Sequence, residues 1–179
     1  PPFTDIRSAQ NLVEADKLEL KYGSQDISAH DSGAFTGEIS GVFLKGLGAS
    51  YAIIGHSERR QYHGETDEIV KAKSLAALKH GVTPLICVGE TEAELEEFGP
   101  SAVPVAQLKA VVANFDKSAE FVVAYEPVWA IGTGKVATEE QAEQVCAALR
   151  VTLREVLGDD VADRTRILYG GSVKGGNIA

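Results

Sequence analysis

The sequence predicts an α/β fold that is built around a parallel β-sheet. Along the 179 residues, segments that suit strands alternate five times with segments that suit helices, which is typical of βα units. The run at residues 121–124 is apolar without a break, and this favours a strand that is covered on both faces. Because polar or glycine-bearing segments follow the strands, we expect reactive side chains to gather at one end of the sheet.

The predicted strands are short apolar or alternating runs. In chain order they cover residues 18–22, 51–54, 83–88, 121–124 and 166–169. The first alternates between apolar and polar residues, and the other four are mainly apolar runs that a turn signal ends. Those signals are Gly55, Gly89, Pro127 and Gly170, and the proline ends its strand because it has no N–H to donate.

The predicted helices follow from apolar spacing and from capping residues. They cover residues 6–15, 38–47, 67–80, 91–98, 105–115 and 139–157. Thr4 and Asp5 are candidate caps of the first helix, and Thr138 is the candidate cap of the last, where we expect a capping box. Gly48 and Gly81 are the expected stops of two helices, since glycine adopts the left-handed conformation that commonly ends a helix.

A long polar segment at residues 23–37 has no periodicity and is rich in glycine. Loops of this length in a compact domain are usually functional or in contact with a partner. The sequence therefore predicts a functional loop here, with an unstructured surface loop as the alternative.

The composition bounds the kind of partner. At 179 residues one domain is the default, and 44% hydrophobic residues are enough to build a core. The net charge is −9, which argues against a nucleic-acid partner or an anionic membrane surface. A phosphorylated substrate remains compatible with this charge, because backbone N–H groups can hold a phosphate.

Cysteine, histidine and hydropathy patterns exclude further classes. Cys87 and Cys146 lie far apart in apolar-rich segments, which favours free thiols in a reducing cytoplasm, with a disulfide as the alternative. The four histidines are scattered, so we expect neither a metal nor a cofactor. No apolar run approaches 18 residues and the N-terminus has no signal-peptide pattern, so no membrane contact is expected.

Glu126 is the leading candidate for chemistry because it directly follows the apolar run at residues 121–124. The next segment, residues 128–134, carries the only tryptophan and two glycines, as a lid that excludes water would. The alternatives are a solvated strand-end carboxylate and a plain turn. A nucleotide P-loop fits less well, since Val136 stands where a serine or threonine is needed.

Four motifs carry a resemblance to a known family. AYEPVWAIGTGK (residues 124–135) resembles the catalytic strand and loop six of triosephosphate isomerases. GAFTGEIS (33–40), GHSERR (55–60) and YGGSV (169–173) resemble further motifs of that family, in the same order. The resemblance covers nearly the whole chain and favours a (β/α)8 TIM barrel, whereas periodicity alone leaves an open doubly wound sheet equally possible.

The resemblance implies interconversion of dihydroxyacetone phosphate and D-glyceraldehyde 3-phosphate through an enediolate. It implies that Glu126 is the base and that His56 is the neutral electrophile, a division of roles that is known for this enzyme and is taken over from it. For His56 and the other histidines, the alternative is a purely structural side chain. Glu58 resembles the carboxylate beside the family's active-site lysine, and Arg59 resembles a structural partner of Glu38.

The resemblance also implies how the substrate and a second subunit are held. Backbone N–H groups of Gly132 and Ser172 would bind the substrate phosphate. Thr36, Gly37 and Glu38 would contact a second copy, so a cytoplasmic homodimer is expected, with a place in glycolysis and gluconeogenesis.

The resemblance stops at the ends of the chain. A barrel of this kind has eight strands in about 250 residues, whereas we count five strands, so residues 1–179 are expected to form a single, incomplete barrel domain. The family's Asn-x-Lys motif and the Gly-Gly loop of its eighth strand do not occur in this sequence. The alternative function is therefore a truncated barrel that only folds or assembles, and a third hypothesis is another phosphosugar isomerase.

Overall fold

The computed structural model describes residues 1–171. Within them lies a five-stranded parallel sheet made of β1 Gly23–Ser24, β2 Tyr51–Ile54, β3 Thr83–Val88, β4 Val122–Tyr125 and β5 Arg166–Tyr169. The spatial order is β1-β2-β3-β4-β5, so neighbours in the sheet are also consecutive in the chain. A doubly wound sheet reverses its order at a switch point, whereas the strands of a barrel follow one another. The α/β prediction is confirmed, and the strand order favours the barrel.

Helices separate the strands. They are α1 Ile6–Ala15, α2 Gly41–Gly46, α3 Ser57–His63, α4 Asp67–Lys79, α5 Glu92–Phe98, α6 Ala102–Val112, α7 Glu139–Leu157 and α8 Asp159–Arg164. Two of them, α3 and α8, were not predicted. The sequence of α3 lacks the apolar period that predicts a helix, and in the structure none of its side chains is buried. The α8 helix is only six residues long.

The first predicted strand was placed wrongly. Residues 18–22 alternate, but the observed strand is β1, which pairs with Tyr51 and Ala52 of β2. Leu20 is 63% exposed, so the alternation does not mark a buried face. Gly23 allows the close pairing, because a Cβ at that position would overlap the carbonyl oxygen of Tyr51.

Two predicted helices begin three residues away from the predicted start. Residues 38–40 precede α2 instead of starting it, since the Glu38 side chain accepts a hydrogen bond from Ser28 within the preceding loop. The α6 helix begins at Ala102 although Pro104 follows two residues later. Proline is tolerated in the first turn because backbone N–H groups there have no partner within the helix.

Capping boxes fix the starts of two helices near the carboxyl ends of the strands. Thr91 and Glu94 form one at α5, and Thr138 and Gln141 form the predicted one at α7. In the second, Gln141 N–H donates to Thr138 Oγ1 at 3.2 Å and Thr138 N–H donates to Gln141 Oε1 at 2.9 Å. The glutamine side chain therefore takes the role that a glutamate commonly has.

The core lies around β4, whose four residues are all buried. The apolar run therefore forms a strand covered on both faces, as predicted. The parallel register sets Val88 beside Tyr125 and Tyr125 beside Tyr169. The carboxyl ends of β3, β4 and β5 are thus level with one another, and the residues after them lie at one edge of the sheet. Within residues 1–171, no helix has the length and apolar character needed to cross a membrane.

Candidate active site

Glu126 lies at the carboxyl end of β4 and is 6% exposed. Its backbone N–H donates to the carbonyl oxygen of Val88 at 2.8 Å, which extends the pairing with β3 by one residue. Pro127 follows and, lacking an N–H, ends the strand there. The solvated-carboxylate alternative is wrong, because the side chain is buried.

The structure brings His56 to Glu126. Only Gly55 separates His56 from the end of β2, and His56 is the N-cap of α3. Its Nε2 lies 2.9 Å from Glu126 Oε1, although the two residues belong to loops after different strands. A titratable pair at the carboxyl ends of parallel strands is the arrangement that acid–base chemistry needs.

The hydrogen bonds of His56 select one tautomer. The backbone N–H of Glu58 donates to His56 Nδ1 at 3.3 Å, so Nδ1 is an acceptor. The proton of the neutral imidazole then lies on Nε2, which donates to Glu126. The hydrogen bond to Glu126 raises the pKa of His56, burial opposes that rise, and the charges of Glu126 and Glu58 add to it.

The second carboxylate oxygen of Glu126 also has a partner. Ser57 N–H donates to Glu126 Oε2 at 3.1 Å. The carboxylate is thus held by a side chain and a backbone group that are adjacent in sequence. Sequence reasoning missed this role of Ser57, and the signal that could have found it is its place in the first turn of a helix that starts at a strand end.

The thiol of Cys87 lies in the same buried region. Burial raises the pKa of Cys87, and the nearby charge of Glu126 raises it further. The thiol is therefore neutral, and it is free, as is that of the half-buried Cys146. Both cysteines were predicted to be free.

The predicted lid follows Glu126 as a 3-10 turn, Val128–Ala130, and an exposed segment at residues 131–136. Gly132 and Gly134 have φ angles of +72° and +80°, which non-glycine residues rarely adopt. The lid is tied to the body by Lys135, whose side chain pairs with Glu92 of α5.

The buried carboxyl group of Glu90 holds the start of the lid at Trp129. Trp129 Nε1 donates to Glu90 Oε1 at 2.7 Å, and Tyr125 O–H donates to the same oxygen at 2.8 Å. Burial raises the pKa of Glu90, which these two hydrogen bonds oppose. Burial and the nearby Glu90 also raise the pKa of Tyr125. Sequence reasoning did not single out Glu90.

A cavity of about 540 Å³ opens beside Glu126. Its walls include Gly89, Gln107, Val128 and Trp129. Glu126 thus faces a space that the lid partly covers. The space is large enough for a small substrate.

Glu58 lies at the edge of the site. Its side chain is 71% exposed and Oε2 lies 3.8 Å from His56 Nδ1. Within residues 1–171 it forms no ion pair with a lysine.

The predicted pairing of Arg59 with Glu38 is wrong. Arg59 instead contacts Asp26 at 3.0 Å and Glu65 at 2.6 Å, and Lys73 contacts the same two carboxylates. Glu38 is exposed and accepts from Ser28. Arg59 pairs with the half-buried Asp26 and the buried Glu65 because both carboxylates lie beside α3 and α4.

The loop that carries Thr36 and Gly37 is exposed, and its tip makes few contacts with the body. His30 stacks on Phe35 with ring centroids 3.7 Å apart and an interplanar angle of 3°. Asp31 ties the loop to α4 through Lys79, and His80 Nε2 lies 2.6 Å from Asp31 Oδ1. These contacts hold the part of the loop around Asp31 against the end of α4.

Two further expectations concern a phosphate and a metal. Ser172, the second predicted phosphate ligand, lies outside the described residues. Across residues 1–171, no group of three or more His, Cys, Asp or Glu side chains is arranged to hold a metal ion.

The fold and the site define an acid–base enzyme on a parallel α/β scaffold, because a buried carboxylate and an imidazole meet at the strand ends beside a glycine-bearing loop. The family model described as triosephosphate isomerase matches residues 1–179. This chain belongs to the triosephosphate isomerase family.

Curated relatives agree with the family match. The triosephosphate isomerase of Leifsonia xyli is 65% identical, over 100% of this chain and 69% of the relative. That of Streptomyces coelicolor is 56% identical, over 99% of this chain and 70% of the relative. The enzyme of Mycobacterium tuberculosis is 52% identical, over 99% of this chain and 69% of the relative.

Proposed function

We propose that this protein interconverts dihydroxyacetone phosphate and D-glyceraldehyde 3-phosphate, with Glu126 as the base and His56 as the electrophile. The observation that carries the proposal is the 2.9 Å contact between His56 Nε2 and Glu126 Oε1. The relatives bear the name of this activity, and no comparison favours the alternative of a barrel that only folds or assembles.

Glu126 removes the proton from the carbon next to the carbonyl group of the substrate. The electron pair of that C–H bond moves toward the carbonyl oxygen and forms an enediolate. The hydroxyl proton of the first carbon moves to the former carbonyl oxygen beside His56, and the protonated carboxyl group of Glu126 returns its proton to the neighbouring carbon, which completes the isomerisation. Closure of the lid over the cavity excludes water and strengthens Glu126 as a base.

His56 stabilises the enediolate as it forms. Its Nε2–H donates a hydrogen bond to the carbonyl oxygen while Nδ1 remains an acceptor for Glu58 N–H. Because Nε2 bonds to Glu126 in this structure, the substrate oxygen must replace this contact. Glu58 acts only through its charge, 3.8 Å from Nδ1.

The substrate phosphate is held by backbone N–H groups. Gly132 is in the left-handed conformation on the lid, where a glycine allows close approach of an anion. We propose Ser172 as the second ligand, on the sequence motif alone. A lid that binds the phosphate is driven closed by the substrate it covers.

We further propose that residues 1–179 fold as a single, incomplete barrel domain and that the protein is a cytoplasmic homodimer. Within residues 1–171, a single cluster of buried apolar residues supports the first point. The exposed loop with Thr36, Gly37 and Glu38 supports the second. The free thiols Cys87 and Cys146 suit a reducing compartment, and the reaction is a step of glycolysis and gluconeogenesis.

The test is turnover of D-glyceraldehyde 3-phosphate by the purified chain. Glu126→Gln should lower kcat by about 10²- to 10⁴-fold, since it removes the base and keeps the shape of the side chain. Glu68→Gln, at an exposed position of α4, is the matched control and should leave the rate unchanged. Equal rates for wild type and Glu126→Gln would contradict the proposal.

A further inference from the structure

Gln107 of α6 makes two hydrogen bonds to one backbone residue. Gly89 N–H donates to Gln107 Oε1 at 2.8 Å, and Gln107 Nε2 donates to the Gly89 carbonyl oxygen at 3.2 Å. Gly89 follows the last residue of β3, where the pairing with a neighbouring strand ends. The side-chain amide thus satisfies both polar groups of a residue that has left the sheet.

Gly89 in turn lies against the backbone of Glu126. A Cβ at position 89 would overlap the carbonyl oxygen of Glu126, so no larger residue fits without a shift. On the other side, Glu126 N–H donates to Val88 at 2.8 Å. The backbone of Glu126 is therefore held by Val88 and Gly89, and Gln107 fixes the second of these two residues.

The residue after Gly89 also supports the lid. Glu90 follows Gly89, and its buried carboxyl group accepts hydrogen bonds from Tyr125 and Trp129. A displacement of Gly89 would therefore move both the backbone behind the base and the contact that holds Trp129.

We propose that Gln107 is a positioning residue for the catalytic base: it fixes Gly89, and Gly89 fixes the backbone from which the Glu126 carboxylate reaches His56. The inference rests on the proposed roles of Glu126 and His56. The Gln107 amide supplies both a donor and an acceptor to Gly89. A leucine leaves both groups of Gly89 unpaired, and a glutamate carboxylate keeps only the bond from Gly89 N–H.

The direct readout is the titration of the His56 imidazole, followed by NMR in the intact chain. Glu126 and Glu58 are the charged groups that face His56. Glu126→Gln should lower the pKa of His56, because the hydrogen-bonded carboxylate is removed. Gln107→Leu should lower the pKa of His56 by at least half as much as Glu126→Gln does. The pKa of His56 in Gln107→Glu should lie between its values in Gln107→Leu and in wild type. Gln144→Leu, at an exposed position of α7, should titrate as wild type does.

Turnover gives the second readout. A base that is displaced by about 1 Å loses on the order of 100-fold in rate, so Gln107→Leu should lower kcat while KM stays within about twofold. A double-mutant cycle with Gly89→Ala should be non-additive, since both changes act on one peptide.

The outcomes separate two kinds of failure. A folded Gln107→Leu with the His56 titration of wild type would overturn the inference. If Gln107→Leu does not fold, Gln107→Glu decides in the same way, because it keeps one of the two hydrogen bonds. A wild-type titration in Glu126→Gln would instead overturn the proposed pair of Glu126 and His56, and the inference with it.

Discussion

The contact between His56 and Glu126 makes the stability of the protein depend on pH. Because the hydrogen bond to Glu126 raises the pKa of His56, the folded chain binds this proton more tightly than the unfolded chain, where histidine titrates near ~6.5. The stabilisation is therefore fully present below about pH 6.5. It is lost as the pH rises through the pKa of the folded state.

We expect this dependence to disappear in His56→Gln. The difference in free energy of unfolding between wild type and His56→Gln should become smaller as the pH is raised from about 6 to about 9, in urea unfolding experiments. His63→Gln, at the exposed end of the same helix, is the control and should follow wild type. A difference that does not change with pH would argue against the coupling.

Glu90 is a buried residue whose role is to accept hydrogen bonds. Its side chain is fully buried, its pKa is raised by burial, and Oε1 accepts from both Tyr125 and Trp129. An uncharged acceptor of the same shape should serve equally well, since neither bond requires a full negative charge.

Replacement of Glu90 by glutamine and by leucine should therefore have different effects. We expect Glu90→Gln to change the free energy of unfolding by less than about 1 kcal/mol, whereas Glu90→Leu leaves two buried donors unpaired and costs about 2–5 kcal/mol. Chemical denaturation can follow the fluorescence of Trp129, the only tryptophan. Equal losses in both variants would show that packing, not hydrogen bonding, holds this region.

Two helices behind His56 are joined by a group of four charged side chains. Arg59 of α3 and Lys73 of α4 contact both Asp26 and Glu65, at distances from 2.5 to 3.0 Å. Burial alone would raise the pKa of Glu65, which is 4% exposed in its side chain, but hydrogen bonds from Lys73 and Arg59 leave it lowered. The two positive and two negative charges balance, so removal of any one leaves a buried charge uncompensated.

Lys73→Met should cost about 3–5 kcal/mol of unfolding free energy, because Asp26 and Glu65 would then share only Arg59. Lys109→Met, on the exposed surface of α6, is the control for the loss of a lysine and should stay within about 0.5 kcal/mol of wild type. Thermal and urea unfolding measure both. A loss in Lys73→Met no larger than in the control would contradict the role of this group.

The elements show which sequence signals are reliable. The strands β2, β3 and β5 begin and end at the predicted residues, because a short apolar run between turn signals has few other ways to be buried. The alternating run at residues 18–22 failed, since the strand that pairs with β2 starts at Gly23. The helix α3 was missed because it buries no side chain, although it positions His56 and Ser57.

The sequence predicted that Glu126 and His56 would come together, but it did not predict the residues that support them. Both stand within two residues of a strand end, and parallel strands bring their carboxyl ends together. Ser57, Glu90 and Gln107 were not found, because their contacts join residues 69, 35 and 18 positions apart. Two of these contacts use backbone groups, which every residue has, so no residue type marks them in the sequence.

The whole molecule is expected to pair with a second copy through the exposed loop that carries Thr36. Thr36→Arg places a long charged side chain in the proposed interface, so the sedimentation coefficient should fall from that of a dimer to that of a monomer. Thr4→Arg adds the same charge at an exposed position far along the chain and should sediment as wild type does. If both variants remain dimeric, the loop is not the interface.

We propose that Glu126 carries the proton between the two carbons of the substrate. The most direct measurement is NMR of dihydroxyacetone phosphate and D-glyceraldehyde 3-phosphate incubated with the chain in D₂O, beside Glu126→Gln prepared in the same way. We predict that the wild-type chain places solvent deuterium on the carbon that Glu126 reprotonates, and that Glu126→Gln slows this at least about 100-fold. Deuterium incorporation at the same rate in both proteins would contradict the account.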